Sequence, residues 1–328
     1  MDGTEQGGIA VLGATGLIGR HVVMALVEEG STGIIATCRR RPAFEAPGVA
    51  WRQVDLLSPD AARAALQGVR RAVICAGRVS TSAELRRDPV TSVLETLRIG
   101  VNALEAAAAE RLDQVVLIGS TTAYPEGQDR KEEADAFQGD PPPAWFGVGW
   151  VHRFLEKQLE WHAKRLGLIS AAVVLRPTLV YGPHDDFDPQ SAHFVPSMIR
   201  RVVERESPIE VWGDGSQTRN LIHGRDVASA VVSALRRPEA YAAYNVASSA
   251  SASVKSVLSE LLALDRYEGA VVTYRRDMPA GASQMDVSSA AFAERYGWSP
   301  KVSLRDGLAE TLDWYRRSQA SAGERLSA

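Results

Sequence analysis

A chain of 328 residues with 45% hydrophobic and 23% charged residues has the make-up of an ordinary globular protein with ample apolar surface for a core, which excludes disorder and collagen-like repeats. Its 37 Lys and Arg nearly balance 40 Asp and Glu, so the net charge of -3 sets up no general field, and neither nucleic acid nor a membrane is expected as a partner. Cys38 and Cys75 lie outside any CxxC or Cys/His cluster, which excludes a disulfide framework and a zinc site; with a polar, acidic start and no apolar run of ~20 residues, the expected compartment is the cytoplasm.

In chain order, Gly8 to Leu12 is a short apolar run that predicts a strand. Leu17 to Glu29 follows with helical spacing of Leu17, Val22, Val23, Leu26 and Val27, and Gly33 to Thr37 reads as a second strand. A third strand ends near Val54. The alternation continues as helix 61–66, strand 72–76, helix 90–110, strand 115–119, helix 151–166 and strand 171–175. Buried strands separated by helices need crossover connections, so the fold class is α/β: a doubly wound, Rossmann-like parallel sheet. After Arg176 the rhythm breaks at Pro177, Pro183, Pro189, Pro196 and Pro208, and a smaller mixed subdomain is expected there. Asn220 to Leu235 reads as a helix after a short strand, and Ala243 to Val246 as a strand returning to the main sheet. The expected division is 8–180 plus 217–247 for cofactor and 181–216 plus 248–318 for substrate.

The strongest local signal is Gly13-Ala-Thr15-Gly16-Leu17-Ile18-Gly19, directly after the first strand and opening the first helix. Glycines there allow a tight turn and close backbone approach, and the helix N-terminus receives a pyrophosphate. After the second strand stand Arg39, Arg40 and Arg41, where an NAD enzyme usually offers a carboxylate to the ribose. Guanidinium groups there suit a 2′-phosphate, which favours NADP(H), although a solvated basic turn would look the same. Asp55 suits an adenine contact or a turn.

With these stand Leu104-Glu-Ala-Ala107, Ile118-Gly-Ser120-Thr121-Thr122-Ala-Tyr124, Leu175-Arg-Pro177, Val180-Tyr-Gly-Pro183, Gly213-Asp-Gly215 leading through Thr218-Arg219 to His223 and Asp226, and Tyr296-Gly-Trp298-Ser-Pro300. In this order the motifs resemble the NAD(P)-dependent epimerase/dehydratase family, the extended short-chain dehydrogenase/reductases, over roughly residues 8 to 316. The resemblance implies that Leu56, Cys75, Ala76, Gly77 and Pro177 line the cofactor with the glycine loop. It also implies a catalytic Ser or Thr, a Tyr-x-x-x-Lys pair and a supporting Asn. Ser120 fills the first position, but Val148 falls where the tyrosine belongs, His152 where the lysine belongs and Thr96 where the Asn belongs. The Asp-Glu pair of the dehydratases is Thr121-Thr122 here.

Val148 cannot donate a proton, so the family's usual mechanism is closed to this chain. Three repairs remain: His152 or Tyr124 as the acid, water as the acid, or a substrate whose ketone is polarised by its own neighbouring hydroxyl. Trp145, Phe146 and Trp150 border the expected reaction site and suit either stacking on a flat substrate or packing between subdomains. Thr121, Thr122, Val148 and Arg219 complete the expected substrate wall; Arg219 faces a nucleotide-sugar diphosphate in the family and here meets another polar substituent or a carbonyl. The run His184-Asp185-Asp186-Phe187-Asp188, with His193 nearby, matches no compact metal spacing, and no metal is expected. The pattern is similar to tailoring ketoreductases of aromatic polyketide antibiotics, which implies an NADPH-dependent reductase of a bulky aromatic ketone. A nucleotide-sugar epimerase or reductase and a non-catalytic NADP sensor are the alternatives, and the oligomeric state stays open.

Overall fold

A computed structural model describes residues 7–40, 44–78, 85, 87–127, 130–278 and 286–327; Arg41 lies outside them. The main sheet begins with β1 (Gly8–Leu12), β2 (Ile34–Cys38), β3 (Val49–Gln53), β4 (Val69–Ile74) and β5 (Gln114–Ile118). After a short β6 (Arg130–Lys131) it is completed by β7 (Ala171–Pro177) and, beyond β8 (Leu179–Tyr181), β9 (Ile209–Trp212) and β10 (Thr218–His223), by β11 (Ala242–Val246). The strand order β11-β7-β5-β4-β1-β2-β3 is parallel throughout. The chain runs outward from β1 in one direction and then returns to β4 on its other side. A crevice therefore opens at the carboxyl ends of β1 and β4, where such sheets bind ligands.

The period of two along β1 builds both layers. Ile9 and Val11 face one core with Val22, Val23, Val227 and Val231, while Ala10 and Leu12 face the other with Leu104, Leu155 and Leu159. The first layer holds α1 (Leu17–Glu28), and the second holds α2 (Pro59–Leu66), α3 (Thr91–Ala109) and α4 (Phe146–Glu160). A third core, including Tyr181, Ile199, Val211, Leu258 and Leu308, is built by α5 (Phe194–Val203), α7 (Val254–Leu264) and, after α8 (Ala290–Tyr296), α9 (Leu304–Ser327), whereas α6 (Gly224–Arg236) packs on α1 in the first core. Strand β12 (Ser251–Ser253) joins β10 and β8, β13 (Val272–Arg275) joins β9, and β14 (Asp286–Val287) joins β6.

Three boundaries differ from the sequence reading. The helix expected from Asn220 begins at Gly224, because Leu221 and Ile222 pair with Leu179 and Val180 as strand β10. The helix expected from 151 begins at Phe146, which places Val148 and Trp150 inside it. Pro196 does not end an element but sits in the first turn of α5, where a missing N–H is tolerated.

Candidate active site

The glycine loop is fixed by backbone geometry. Gly13 has φ +80°, and a Cβ there would stand 2.8 Å from both Cα and N of Ala76; a Cβ on Gly19 would stand 2.2 Å from the Gly13 carbonyl oxygen. Only glycine fits either place. The Gly13 N–H donates to Thr37 Oγ1 at 3.1 Å and the Ala14 N–H to the Thr37 carbonyl at 3.2 Å, which ties the loop to the end of β2. Gly16 caps α1, Thr15 and Gly16 are exposed, and the first amides of the helix, those of Leu17 and Ile18, have no intrahelical acceptor. A cradle that any Cβ would fill, opening on free helix amides, fits a dinucleotide pyrophosphate.

The other cofactor candidates gather along the same edge of the sheet. Arg39 and Arg40 follow β2, exposed, and neither guanidinium is held in an ion pair among the described residues. Asp55 is exposed, and its Oδ1 accepts the Leu57 N–H at 3.1 Å, a turn role that still leaves carboxylate surface. The Leu56 carbonyl accepts from Asn102 Nδ2 at 2.9 Å. Cys75 donates its N–H to Leu12 O at 3.0 Å, and burial pushes its thiol up to about 12, so it is an inert wall. Beyond Ala76 and Gly77, Thr96 Oγ1 accepts the Arg78 N–H and donates to the Arg78 carbonyl, both at 3.0 Å. Thr96 thus clamps the loop after β4. Pro177 ends β7, buried.

At the reaction end, Ser120 leaves β5 and caps a single 3₁₀ turn over Thr121–Ala123. Its half-buried Oγ accepts the Thr122 N–H at 3.1 Å and the Thr122 hydroxyl at 2.9 Å. Thr121 is buried beside it. Val148 and His152 stand one turn apart on α4. The half-buried His152 ring has no hydrogen bond or ion pair among the described residues, and burial pushes it down to about 4. It is therefore a neutral imidazole at pH 7, without the second proton that an acid would donate.

Tyr124 is held more tightly. Its hydroxyl donates to Asn245 Oδ1 at 2.6 Å and accepts from Arg176 Nη1 at 3.0 Å, and burial pushes the phenol up to about 12. Arg176 is in turn held by Glu156 through Nε at 2.9 Å and Nη2 at 2.7 Å. Both hydroxyl functions are engaged by buried partners, which ties Tyr124 to β7 and β11.

Trp145 is half-buried and Phe146 is 50% exposed, and with Pro89, Val93, Pro143 and Val148 they line a cavity of about 270 Å³. Trp150 is turned to another use, its ring 4.8 Å from the Arg153 guanidinium. Arg219 is half-buried on β10, where Nη1 donates to the Thr218 carbonyl at 2.7 Å. Asp186 and Asp188 are occupied by local turns, accepting the Asp188 and Gln190 N–H groups at 2.9 and 2.8 Å; among the described residues no His, Cys, Asp and Glu converge on a metal.

Two features carry no local signal in the sequence. One is Arg153; the other is a histidine cluster beside the glycine loop. His21 Nδ1 meets Leu17 O at 2.9 Å, and its ring lies 5.7 Å from His223 and 6.3 Å from His184. Burial pushes His184 down to about 4 and His223 to about 3, so these rings are neutral at pH 7. Their signal was scattered over three distant segments that only the fold brings together.

The family model for the NAD dependent epimerase/dehydratase family matches residues 9–247. Over 317 residues the chain is 26% identical to GDP-L-fucose synthase 1 of Arabidopsis thaliana, covering 94% of this chain and 93% of that protein. It is 27% identical over 320 residues to the dTDP-4-dehydro-6-deoxy-D-allose reductase of a Streptomyces species, covering 94% and 96%. The solved structure of a GDP-6-OMe-4-keto-L-xylo-heptose reductase from C. jejuni superposes with a TM-score of 0.85 at 16% identity, covering 97% of this chain and 100% of that one. No helix among the described residues is long and apolar enough to cross a membrane.

Proposed function

The chain belongs to the NAD dependent epimerase/dehydratase family, and from that membership we propose that it is an NADPH-dependent ketone reductase in which the protein supplies no tyrosine proton. One observation carries this reading. Where a proton donor belongs, Val148 lines a cavity with Trp145 and Phe146, while the two candidate acids of the sequence are a neutral His152 and a fully bonded Tyr124. NADPH, when bound, would supply a hydride for the ketone. Ser120 and Thr122 orient the carbonyl oxygen, and the glycine loop and Pro177 hold the cofactor's edge of the reaction. The alkoxide takes its proton from water or from a neighbouring hydroxyl of the substrate, so the protein's share is mainly alignment, worth roughly 7–11 kcal/mol when the geometry is good. In this arrangement 8–180 with 217–247 hold the cofactor, and 181–216 with 248–318 close on the substrate.

The relatives favour a ketone carried by a nucleotide-linked sugar, with Arg219 toward the diphosphate. A second reading, an aromatic polyketide-type ketone, is favoured by the cavity that Trp145, Phe146 and Val148 line. Single-turnover absorbance of NADPH against 4-keto sugar nucleotides and hydroxyquinones separates them. Oxidation with the sugars alone selects the first and with the quinones alone the second, whereas tight NADPH binding with no turnover on either supports a sensor and overturns the proposal.

A further inference from the structure

Gly149, Arg153 and Glu156 lie on one stripe of α4, at spacings of four and three, and this stripe receives the segment that leaves β5. A Cβ on Gly149 would stand 2.5 Å from the Thr122 carbonyl oxygen, so the backbone of the 3₁₀ turn rests directly on the helix. One turn later Arg153 is 1% exposed. Its Nε donates to the Ala123 carbonyl at 2.8 Å and its Nη1 to the Gly139 carbonyl at 2.7 Å. Trp150 and Phe137 lie 4.8 and 5.6 Å from the guanidinium. Among the described residues no carboxylate forms an ion pair with it; Asp140 and Glu156 act on it only through space, and Nη2 has no hydrogen-bond partner.

A buried guanidinium without a direct ion-pair partner is an expensive way to fill space, and an apolar side chain of similar volume would pack there at lower cost. What the charge does provide is two directed donors that join the 3₁₀ turn, the loop at Gly139 and α4. We propose that Arg153 is a positioning residue: by gripping the Ala123 carbonyl from the Gly149 face of α4, it fixes the turn that presents Ser120 and Thr122 to the ketone. The proposal rests on the carbonyl-reduction reading. With no tyrosine to reach for the carbonyl, alignment depends on this short turn, and a displacement of about 1 Å can reduce turnover by roughly 100-fold.

The test compares the full-length chain with Arg153→Met, Arg153→Lys and Gly149→Ala. Amide hydrogen exchange at Thr122, Ala123 and Tyr124, melting temperature, NADPH affinity, and kcat and KM with 5-hydroxy-1,4-naphthoquinone and a GDP-linked 4-keto-6-deoxy sugar are measured. Arg153→Met is expected to melt within about 3 °C of wild type and to bind NADPH equally. Its three amides should exchange at least about tenfold faster, and kcat should fall about 10- to 100-fold with KM nearly unchanged. Arg153→Lys should restore part of both effects, and Gly149→Ala, pushing on the same turn, should reproduce them. Unchanged exchange, or faster exchange with unchanged kcat, overturns the proposal; so does a general loss of protection with a collapse in melting temperature in all three variants. If wild type oxidises NADPH with neither probe, the reduction reading fails, and the exchange measurement alone decides whether Arg153 orders the turn.

Discussion

Glu156→Gln probes what holds the reaction end together. The Glu156 side chain is fully buried and that of Arg176 is 3% exposed, and the two are joined by hydrogen bonds of 2.9 and 2.7 Å. Glutamine keeps the shape but leaves the guanidinium without its counter-charge in a dry interior. Breaking such a pair from one side costs about 3–5 kcal/mol, and at about 2 °C per kcal/mol for a chain of this length the melting temperature should fall by about 6–10 °C. The double substitution Glu156→Leu with Arg176→Met removes both charges and should recover part of the loss; the recovery is incomplete because Arg176 also donates to Tyr124 and to the Glu133 carbonyl. Differential scanning calorimetry of the three proteins without cofactor reads the comparison. A Glu156→Gln melting temperature within 2 °C of wild type (roughly 1 kcal/mol) would falsify the claim that this pair is a buried and mutually dependent unit.

Arg39→Ala with Arg40→Ala should erase a preference for NADPH over NADH, since each phosphate contact is worth about 1.5–3 kcal/mol; titrating wild type and variant with both cofactors checks this, and equal wild-type affinities would remove the basis for NADP. Ser120→Ala should bind NADPH normally and lose less than the ~10²–10⁴ expected of a true acid, whereas Tyr124→Phe should retain turnover and lose about 1–3 kcal/mol of stability, because Arg176 and Asn245 lose a partner. The neutral histidines set an acid limit. His184 at about 4 and His223 at about 3 bind fewer protons in the fold than unfolded rings near 6.5, so their contribution is present above pH 6.5 and drains away as pH falls toward 4. Melting temperature should therefore drop across that window, and less steeply in His184→Phe; identical slopes would count against the cluster as the cause.

How far the sequence reaches depends on how local each signal is. Gly13, Gly16 and Gly19 announced the cofactor turn because their spacing is complete within seven residues, although the backbone that crowds Gly13 is that of Ala76, far along the chain. The parallel strands were legible because burial on both faces makes them continuous apolar runs, as in Val115 to Leu117. The helix boundary near Asn220 was not, since Leu221 and Ile222 are equally good in a strand or a helix, and only pairing with Leu179 and Val180 decides. Tyr124 shows the same limit within the site: proximity to Ser120 suggested chemistry, yet its partners are 52 and 121 residues away. Arg153 passed as one more charged residue on a helix, because the two carbonyls it grips are backbone atoms that carry no side-chain signature.

Val148 has a consequence for how such a reductase is regulated by its medium. An enzyme with its own phenol shows the ionisation of that phenol in its pH–rate profile, whatever ketone it is given. Here the profile under the proposed reduction belongs to the reactant, and it should move when the acidity of the hydroxyl beside the ketone is changed. Discrimination then has a part that no pocket shape can reproduce: two ketones of equal size and affinity are sorted by their own electronics. Under the same proposal, a competitor that binds well but cannot stabilise its alkoxide would occupy the site as an inhibitor, and the catalytic repertoire would be narrower than the binding repertoire.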